Sequence, residues 1–399
     1  MTSRRPFPDL PAPRARQEPW TETRHSETRS DEYHWLRAGN WQEVFRDPAL
    51  LAPEIRAHLE AENAYQEAML ADTAELRATL VAEMRGRIKE DDAAVPLPDG
   101  PWAYGTAYVA GGQHRRFFRV PRQGGEAQVL LDGDREAEGL DYFAFGSIRC
   151  SPDHSHLVWG ADDNGSEYFT LRARDLATGR DLPDRVEATG GDGVWSQGHE
   201  GFFYARLDEN HRPSRVLYHA LDTDPAADRL VHDEADPGVF VSVDRTRDGR
   251  WILLSIGDHE SNEVRLLPAD QPGAEPRVVE PRVPRVRYHL EEGGEEFFVL
   301  TNADGAEDFK VMTAPVEAPG KANWRELVPH VPGRLILDIL SFRASSCGSS
   351  ARTACPASSC VTARAARSTP LPSPRRPTAS ASRGRSSTTP RRCASPIPR

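Results

Sequence analysis

Four times along the chain an apolar or aromatic triplet follows a polar turn and precedes a second strand-like run. The triplets are Leu157–Trp159 after SPDHSH, Phe202–Tyr204 after SQGHEG, Trp251–Leu253 after RTRDGR and Phe297–Val299 after EEGGEE. Their starts run from 157 to 202, 202 to 251 and 251 to 297, which are steps of 45, 49 and 46. A period of about 40–50 residues is what β-propeller blades produce, because one four-stranded blade cannot bury both faces alone and neighbours must stack around a common axis. The intervening segments agree. ADDNGSE leads into YFTLRARDLATG, ARLDENHRPS into RVLYHALDT, and TNADGAED into FKVMTAP, which are apolar runs separated by Asp, Asn and Gly turns, as in hairpins. A weaker fifth copy precedes them: DGPWAYGTAYVAGG, RRFFRVPR and AQVLLDGD, with Trp102 lying 157 − 102 = 55 residues before Leu157. The pattern predicts a mainly β chain built as a propeller, with a two-sheet sandwich as the alternative.

Upstream, residues 1–30 are rich in Pro, Arg and Glu without periodicity and are expected to form an extended arm. Two helices are predicted, roughly 53–70 and 73–88. Pro53 suits a first helical position, Ile55 and Leu59 share a face, Leu76, Leu80 and Met84 recur every four residues, and Asp72 with Glu75 has capping-box spacing. Their apolar stripes are narrow, which predicts packing against a larger body. Asp99-Gly100 is a hairpin signal opening the β region. The expected organisation is an arm with two helices over 1–88, a partial propeller over 89–342 and a tail over 343–399.

Composition changes the picture mainly in the tail. Four of the five cysteines (Cys347, Cys355, Cys360, Cys393) lie there without His or periodicity, so neither a zinc site nor a disulfide framework is supported. Residues 343–399 hold 11 Arg and no Lys, Asp or Glu; removing that +11 from the overall −11 leaves −22 on residues 1–342. Such an acidic body attracts cationic substrates, and it also serves ordinary solubility. The start of the chain has no apolar run, and no stretch reaches the ~20 apolar residues of a membrane span, so a soluble cytoplasmic protein is expected.

DEYHWLR, NWQEV, IRAHLEAEN and RIKEDD followed by GPWAY, in that order, resemble the amino-terminal region of the prolyl oligopeptidase family of serine peptidases, in its oligopeptidase B (protease II) branch. The resemblance continues through SPD, GSEYFTL, LYHALDT, TNADGAEDFKV and RLILDILSF, covering about residues 25–342. It implies a helical arm, a seven-bladed propeller that excludes large folded substrates, and a C-terminal α/β-hydrolase domain with a Ser, Asp, His triad. It also implies cleavage of short peptides after Arg or Lys. Against that family pattern, five repeats make an incomplete propeller, about five of seven blades, whose open faces and edges predict poor solubility.

After Phe342 the pattern breaks. The tail has 13 Ser and 8 Pro, with no aromatic residue and no acid, a composition that predicts disorder. Its arginines would suit a nucleic-acid or membrane surface. A shifted reading frame fits better. With GC-rich codons read one nucleotide earlier, the segment over residues 349–362 becomes LEREDGLPRIVVRD, and two further stretches likewise regain acids, aromatics and strand alternation. A frame disruption near residues 342–346 is therefore expected.

Catalytic, cofactor-binding and metal residues are all read as absent. No GxSxG nucleophile elbow occurs anywhere in the sequence. Ser166 reads as a hairpin residue, and Ser196 near His199 as a polar loop. Asp162, Asp163 and Asn164 resemble only part of a calcium loop, and His154 with His156 lacks a third ligand. GGQHRR is a turn rather than a phosphate loop, and Trp35 and Trp41 read as packing residues of the arm. The favoured reading is the gating-propeller portion of an oligopeptidase B-like peptidase, inactive alone, whose intact form would take short basic peptides. No nucleic acid, membrane or cofactor is expected. A non-catalytic propeller binding peptides or protein partners is the alternative, and a basic-tail nucleic-acid binder is a third reading that an acidic body disfavours.

Overall fold

Each predicted repeat is an antiparallel sheet, the second and third running together through a shared strand as one seven-stranded sheet, and each triplet lies in the second strand of its repeat. The computed structural model describes residues 8–342 and the backbone of three further strands, 345–352, 355–362 and 365–370. A hairpin of β1 (Thr21–Arg24) and β2 (Glu27–Ser30) leads to the helices α1 (Trp41–Arg46), α2 (Pro53–Met69) and α3 (Ala74–Gly86). The first sheet comprises β3 (Leu97–Asp99), β4 (Trp102–Ala107), β5 (Arg116–Pro121) and β6 (Gln128–Asp132). The second and third sheets comprise β7 (Ala144–Cys150), β8 (His156–Asp162), β9 (Phe169–Asp175), β10 (Arg180–Trp195), β11 (Gly201–Leu207), β12 (Pro213–Ala220) and β13 (Arg229–Asp233). The fourth holds β14 (Phe240–Arg245), β15 (Trp251–Gly257), β16 (Asn262–Pro268) and β17 (Arg277–Glu280), and the fifth β18 (Tyr288–Glu292), β19 (Glu296–Thr301), β20 (Lys310–Pro315) and β21 (Arg325–Val328). Then come β22 (Arg334–Phe342), β23 (Ser345–Arg352), β24 (Cys355–Thr362) and β25 (Ala365–Pro370), a sixth four-stranded sheet.

The triplets are continuous rather than alternating because both faces of these second strands are covered. Successive strand residues point to opposite faces, so a strand buried on one side alternates, while one sandwiched between two sheets is apolar throughout. In β11, Phe202 and Tyr204 join Val158, Leu171 and Trp195 in the layer between second and third sheets, whereas Phe203 and Ala205 join Val241, Ile252 and Leu254 in the layer between third and fourth. In β19, Phe297 and Val299 face the fourth sheet with Val264 and Leu266, and Phe298 and Leu300 face Ile336 and Ile339 of β22. Leu130, Leu131, Leu157 and Trp159 fill the layer between first and second sheets. Each apolar layer thus joins two sheets consecutive in sequence, which is the stacking that a propeller requires.

Strand β10 serves two sheets. Its first half pairs with β9 and its second half with β11, with a register shift between Thr189 and Gly193. The crossing is a close backbone approach. A Cβ on Gly191, which has φ +86°, would lie 2.8 Å from the Phe169 ring, and Cβ atoms on Gly146 and Gly160 would meet the Gly191 carbonyl oxygen at 2.5 and 2.6 Å. Only glycine fits all three positions.

Several expectations need amendment. Residues 21–30, expected as part of an extended arm, form a hairpin. His25 and Ser26 supply the two positive φ values (50° and 65°) of a two-residue turn without Gly or Asn, and the Thr23 and Thr28 hydroxyls bond across it at 3.0 Å. Helices α2 and α3 stand where predicted, with Pro53 opening α2. Asp72, however, lies in a 3-10 turn (Ala71–Thr73) and does not cap α3; Thr73 precedes α3 without a side-chain cap and donates instead to the Leu70 carbonyl at 2.7 Å. The tail expected to lack elements is strand over β23–β25, extending the propeller to a sixth sheet, while residues 371–399 lie outside the described ones. Among the described residues no helix is long and apolar enough to cross a membrane.

Candidate functional site

The candidate chemistry at the hairpin turns is consumed locally. Asp162 Oδ1 accepts the backbone N–H groups of Asn164, Gly165 and Ser166, and its Oδ2 that of Glu167, so its lone pairs close the turn. Ser166 is buried and its hydroxyl accepts from Tyr168 N. The Ser196 hydroxyl is buried and donates to the Gly201 carbonyl at 3.0 Å, while His199 turns away to pair with Asp153 at 3.3 Å. Burial opposes ionisation of Asp153, but the Ser151 and Ser155 hydroxyls outweigh it and hold the carboxyl down at about 2. His154 and His156 diverge. The His154 ring meets the Tyr104 hydroxyl at 2.7 Å, and His156 stacks on His199 at 5.9 Å. In GGQHRR the N–H groups of Gln113 and His114 are taken by Asp134, and Gly111 N by Glu90, leaving no cradle for phosphate. A recess of about 870 Å³ beside that loop presents Arg116 already paired with Asp132 at 2.6 Å.

One triad-like cluster was not signalled by any motif. His219 on β12 lies between two carboxylates, with Nδ1 2.7 Å from Asp228 Oδ1 and Nε2 2.9 Å from Asp184 Oδ1. All three side chains are fully buried. Asp228 Oδ2 accepts from the Tyr204 hydroxyl at 2.7 Å, and Asp184 Oδ1 also accepts from Asp222 N. Burial lowers the proton affinity of the ring, but Asp228 and Asp184 outweigh it and raise the His219 pKa above its ordinary value. Among the described residues no hydroxyl or thiol nucleophile contacts the ring, and its side chain is fully buried, so the cluster is not arranged as a relay for hydrolysis. Its partners are 35 and 9 residues from His219, and the only sequence signal was a histidine at an inward strand position of RVLYHALDT.

The surface that asks for a partner is the arm. Helix α1 sits on the turns between second and third strands of the second and third sheets. Arg46 lies over the Tyr168 ring at 4.7 Å, its carbonyl accepts from Asn164 Nδ2, and Phe45 meets the His211 ring at 5.5 Å. Trp35 packs under Arg16 at 4.1 Å and Trp41 against Phe45, both as packing residues. Beyond α1 the helices are bare. Ile55 is the only buried residue of α2 and α3, while Leu59, Leu76, Leu80 and Met84 are 48%, 59%, 46% and 56% exposed. Leu76, Leu80 and Met84 follow one another at four-residue steps along α3, and an exposed apolar row of this kind is characteristic of an interaction surface.

Residues 13–346 match the family model described as prolyl oligopeptidase, N-terminal beta-propeller domain. The chain is 34% identical over 323 residues to dipeptidyl aminopeptidase BI of Pseudoxanthomonas mexicana, covering 77% of the chain and 43% of that protein. It is 25% identical over 340 residues to protease 2 of Moraxella lacunata, covering 83% and 47%. Oligopeptidase B from Trypanosoma brucei superposes with a TM-score of 0.78 at 27% identity, over 88% of this chain and 50% of that one. Oligopeptidase B from Leishmania major has the same fold, with a TM-score of 0.82 over 88% and 51%. The chain therefore spans about half the length of the relatives it matches.

Proposed function

The chain belongs to the prolyl oligopeptidase family, whose N-terminal propeller it carries, and from that premise we propose that it is the substrate-gating part of a cytoplasmic serine peptidase of the oligopeptidase B type. The arm is the observation that carries this reading. It is anchored through α1 to turns of the propeller and leaves Leu59 of α2 and Leu76, Leu80 and Met84 of α3 exposed, as expected if a hydrolase domain closes over that side. Short peptides bearing Arg or Lys are the substrates suggested by the −22 carried on residues 1–342, since a surface of one sign raises the local concentration of the other. These 399 residues contain no GxSxG and so no nucleophile elbow; alone they do not hydrolyse peptides. Residues 343–399 are, on this reading, the product of a shifted frame.

The test is to resequence the gene from the codon for Leu335 through several hundred nucleotides past the stop. A gained or lost base that reopens a frame encoding GxSxG is expected. An unbroken frame and no hydrolase domain would replace the proposal with a propeller that acts by binding alone. The frame-restored protein should cleave Arg- and Lys-containing peptides, and the 399-residue chain should not; hydrolysis by the latter overturns the inactivity. The higher identity to a dipeptidyl aminopeptidase favours a second reading, release of dipeptides from a free amino terminus. Amino-terminally blocked peptides decide between them, since only an oligopeptidase cleaves those.

A further inference from the structure

Both ring nitrogens of His219 face carboxylate oxygens, at 2.7 and 2.9 Å. A neutral imidazole has one N–H, and its other nitrogen would direct a lone pair at an ionised carboxylate. Satisfying both contacts takes one more proton than neutral histidine and two carboxylates supply. The surroundings make that proton hard to release. Among the described residues Asp184 Oδ2 is buried without a hydrogen-bond partner, so an uncompensated second charge there is costly. The groups around the ring are Asp184 from β10, Asp228 from the turn before β13 and the Phe202 ring from β11 at 5.2 Å. Behind Asp228 stand the Tyr204 hydroxyl and then the Arg206 guanidinium. Asp184 lies in the half of β10 that pairs with the second sheet, whereas His219 is on β12 of the third and Asp228 immediately precedes that sheet's β13.

We propose that His219 is held as an imidazolium through neutral pH and that this proton latches the second sheet to the third, making their junction sensitive to alkali. The direction of the shift in His219 agrees. A folded-state proton affinity above the unfolded one gives stability that is complete below the ordinary histidine value of 6.5 and is lost as pH rises through the folded-state value. In that window the folding equilibrium constant falls by about tenfold per pH unit for one released proton.

The experiment compares urea unfolding of the full chain with that of His219→Gln from about pH 6 to 10, and reads the ring nitrogens of histidine-labelled wild-type chain by NMR at about pH 7.5. The wild type should lose stability relative to the variant as pH rises, and the His219 signal, identified by its loss in the variant, should show both nitrogens protonated. Parallel pH profiles, or a neutral tautomer at that pH, overturn the proposal. If the variant does not fold, the signal is identified instead as the solvent-protected histidine, and its protonation state alone decides.

Discussion

Phe202 and Phe203 are adjacent in β11 and both fully buried, yet they belong to different layers, so replacing each by Ala should loosen different parts of the molecule. The Phe202 ring meets Trp195 at 5.8 Å and His219 at 5.2 Å in the layer shared with β8 and β9. The Phe203 ring meets Tyr218 at 4.9 Å and shares its layer with Val241, Ile252 and Leu254 of the fourth sheet. Truncating a buried Phe to Ala costs about 3–5 kcal/mol, from lost transfer energy and the cavity left behind. The lower figure alone is about a 150-fold change in an opening equilibrium. Because stability in stacked repeats is nearly a sum of units and nearest-neighbour interfaces, the loss should concentrate where the layer is cut. Amide hydrogen exchange read by mass spectrometry is the assay. Phe202→Ala should accelerate exchange in β8 and β9, and Phe203→Ala in β14 and β15, with β18–β21 near the wild-type rate in both. Identical patterns for the two variants, or a cost below about 1 kcal/mol in either, would refute the two-faced reading of the triplets.

Two further outcomes are expected. Burial, and then the hydrogen bond with Asp248, raises the Glu292 carboxyl to about 7, so its neutral form is favoured on folding below about 4.5 and that advantage is lost as pH rises through 7; Glu292→Gln should stabilise the chain at pH 8 by roughly 0.5 kcal/mol, a figure kept small because the carboxyl is only partly buried and solvent screens it, and make little difference at pH 5, with urea titration as the measure and a larger gain at the lower pH as the disproof. Replacing Leu76, Leu80 and Met84 together by Gln should change the stability of this chain by less than about 0.5 kcal/mol per site while reducing its self-association in light scattering, and a large loss of stability would mean that the helices already pack on something.

What could be read from the residues depended on whether the signal was local. The triplets were legible because burial on both faces makes a strand apolar throughout, and their spacing follows from four strands and their turns; five of the six sheets were found that way. The sixth escaped because only β22 carries the apolar pattern, with Ile336 and Ile339 buried, while its partner strands lie in a segment whose composition resembles no strand. The shared strand β10 was hidden for a different reason. Its kink at Gly190 and Gly191 looks like a turn between elements, whereas the chain there passes from one sheet into the next without reversing. The turn serines and aspartates are taken up by groups one to five positions away, whereas His154 and His199 reach Tyr104 and Asp153 across longer separations that no local spacing encodes. The His219 cluster needed distances across two sheets, and no periodicity encodes a pair 35 residues apart. The arm lies between these cases. Its narrow stripes pointed to a larger body; the structure shows α1 seated on the propeller turns and Leu76, Leu80 and Met84 of α3 exposed, and on the proposed function those three side chains are where a second domain would dock.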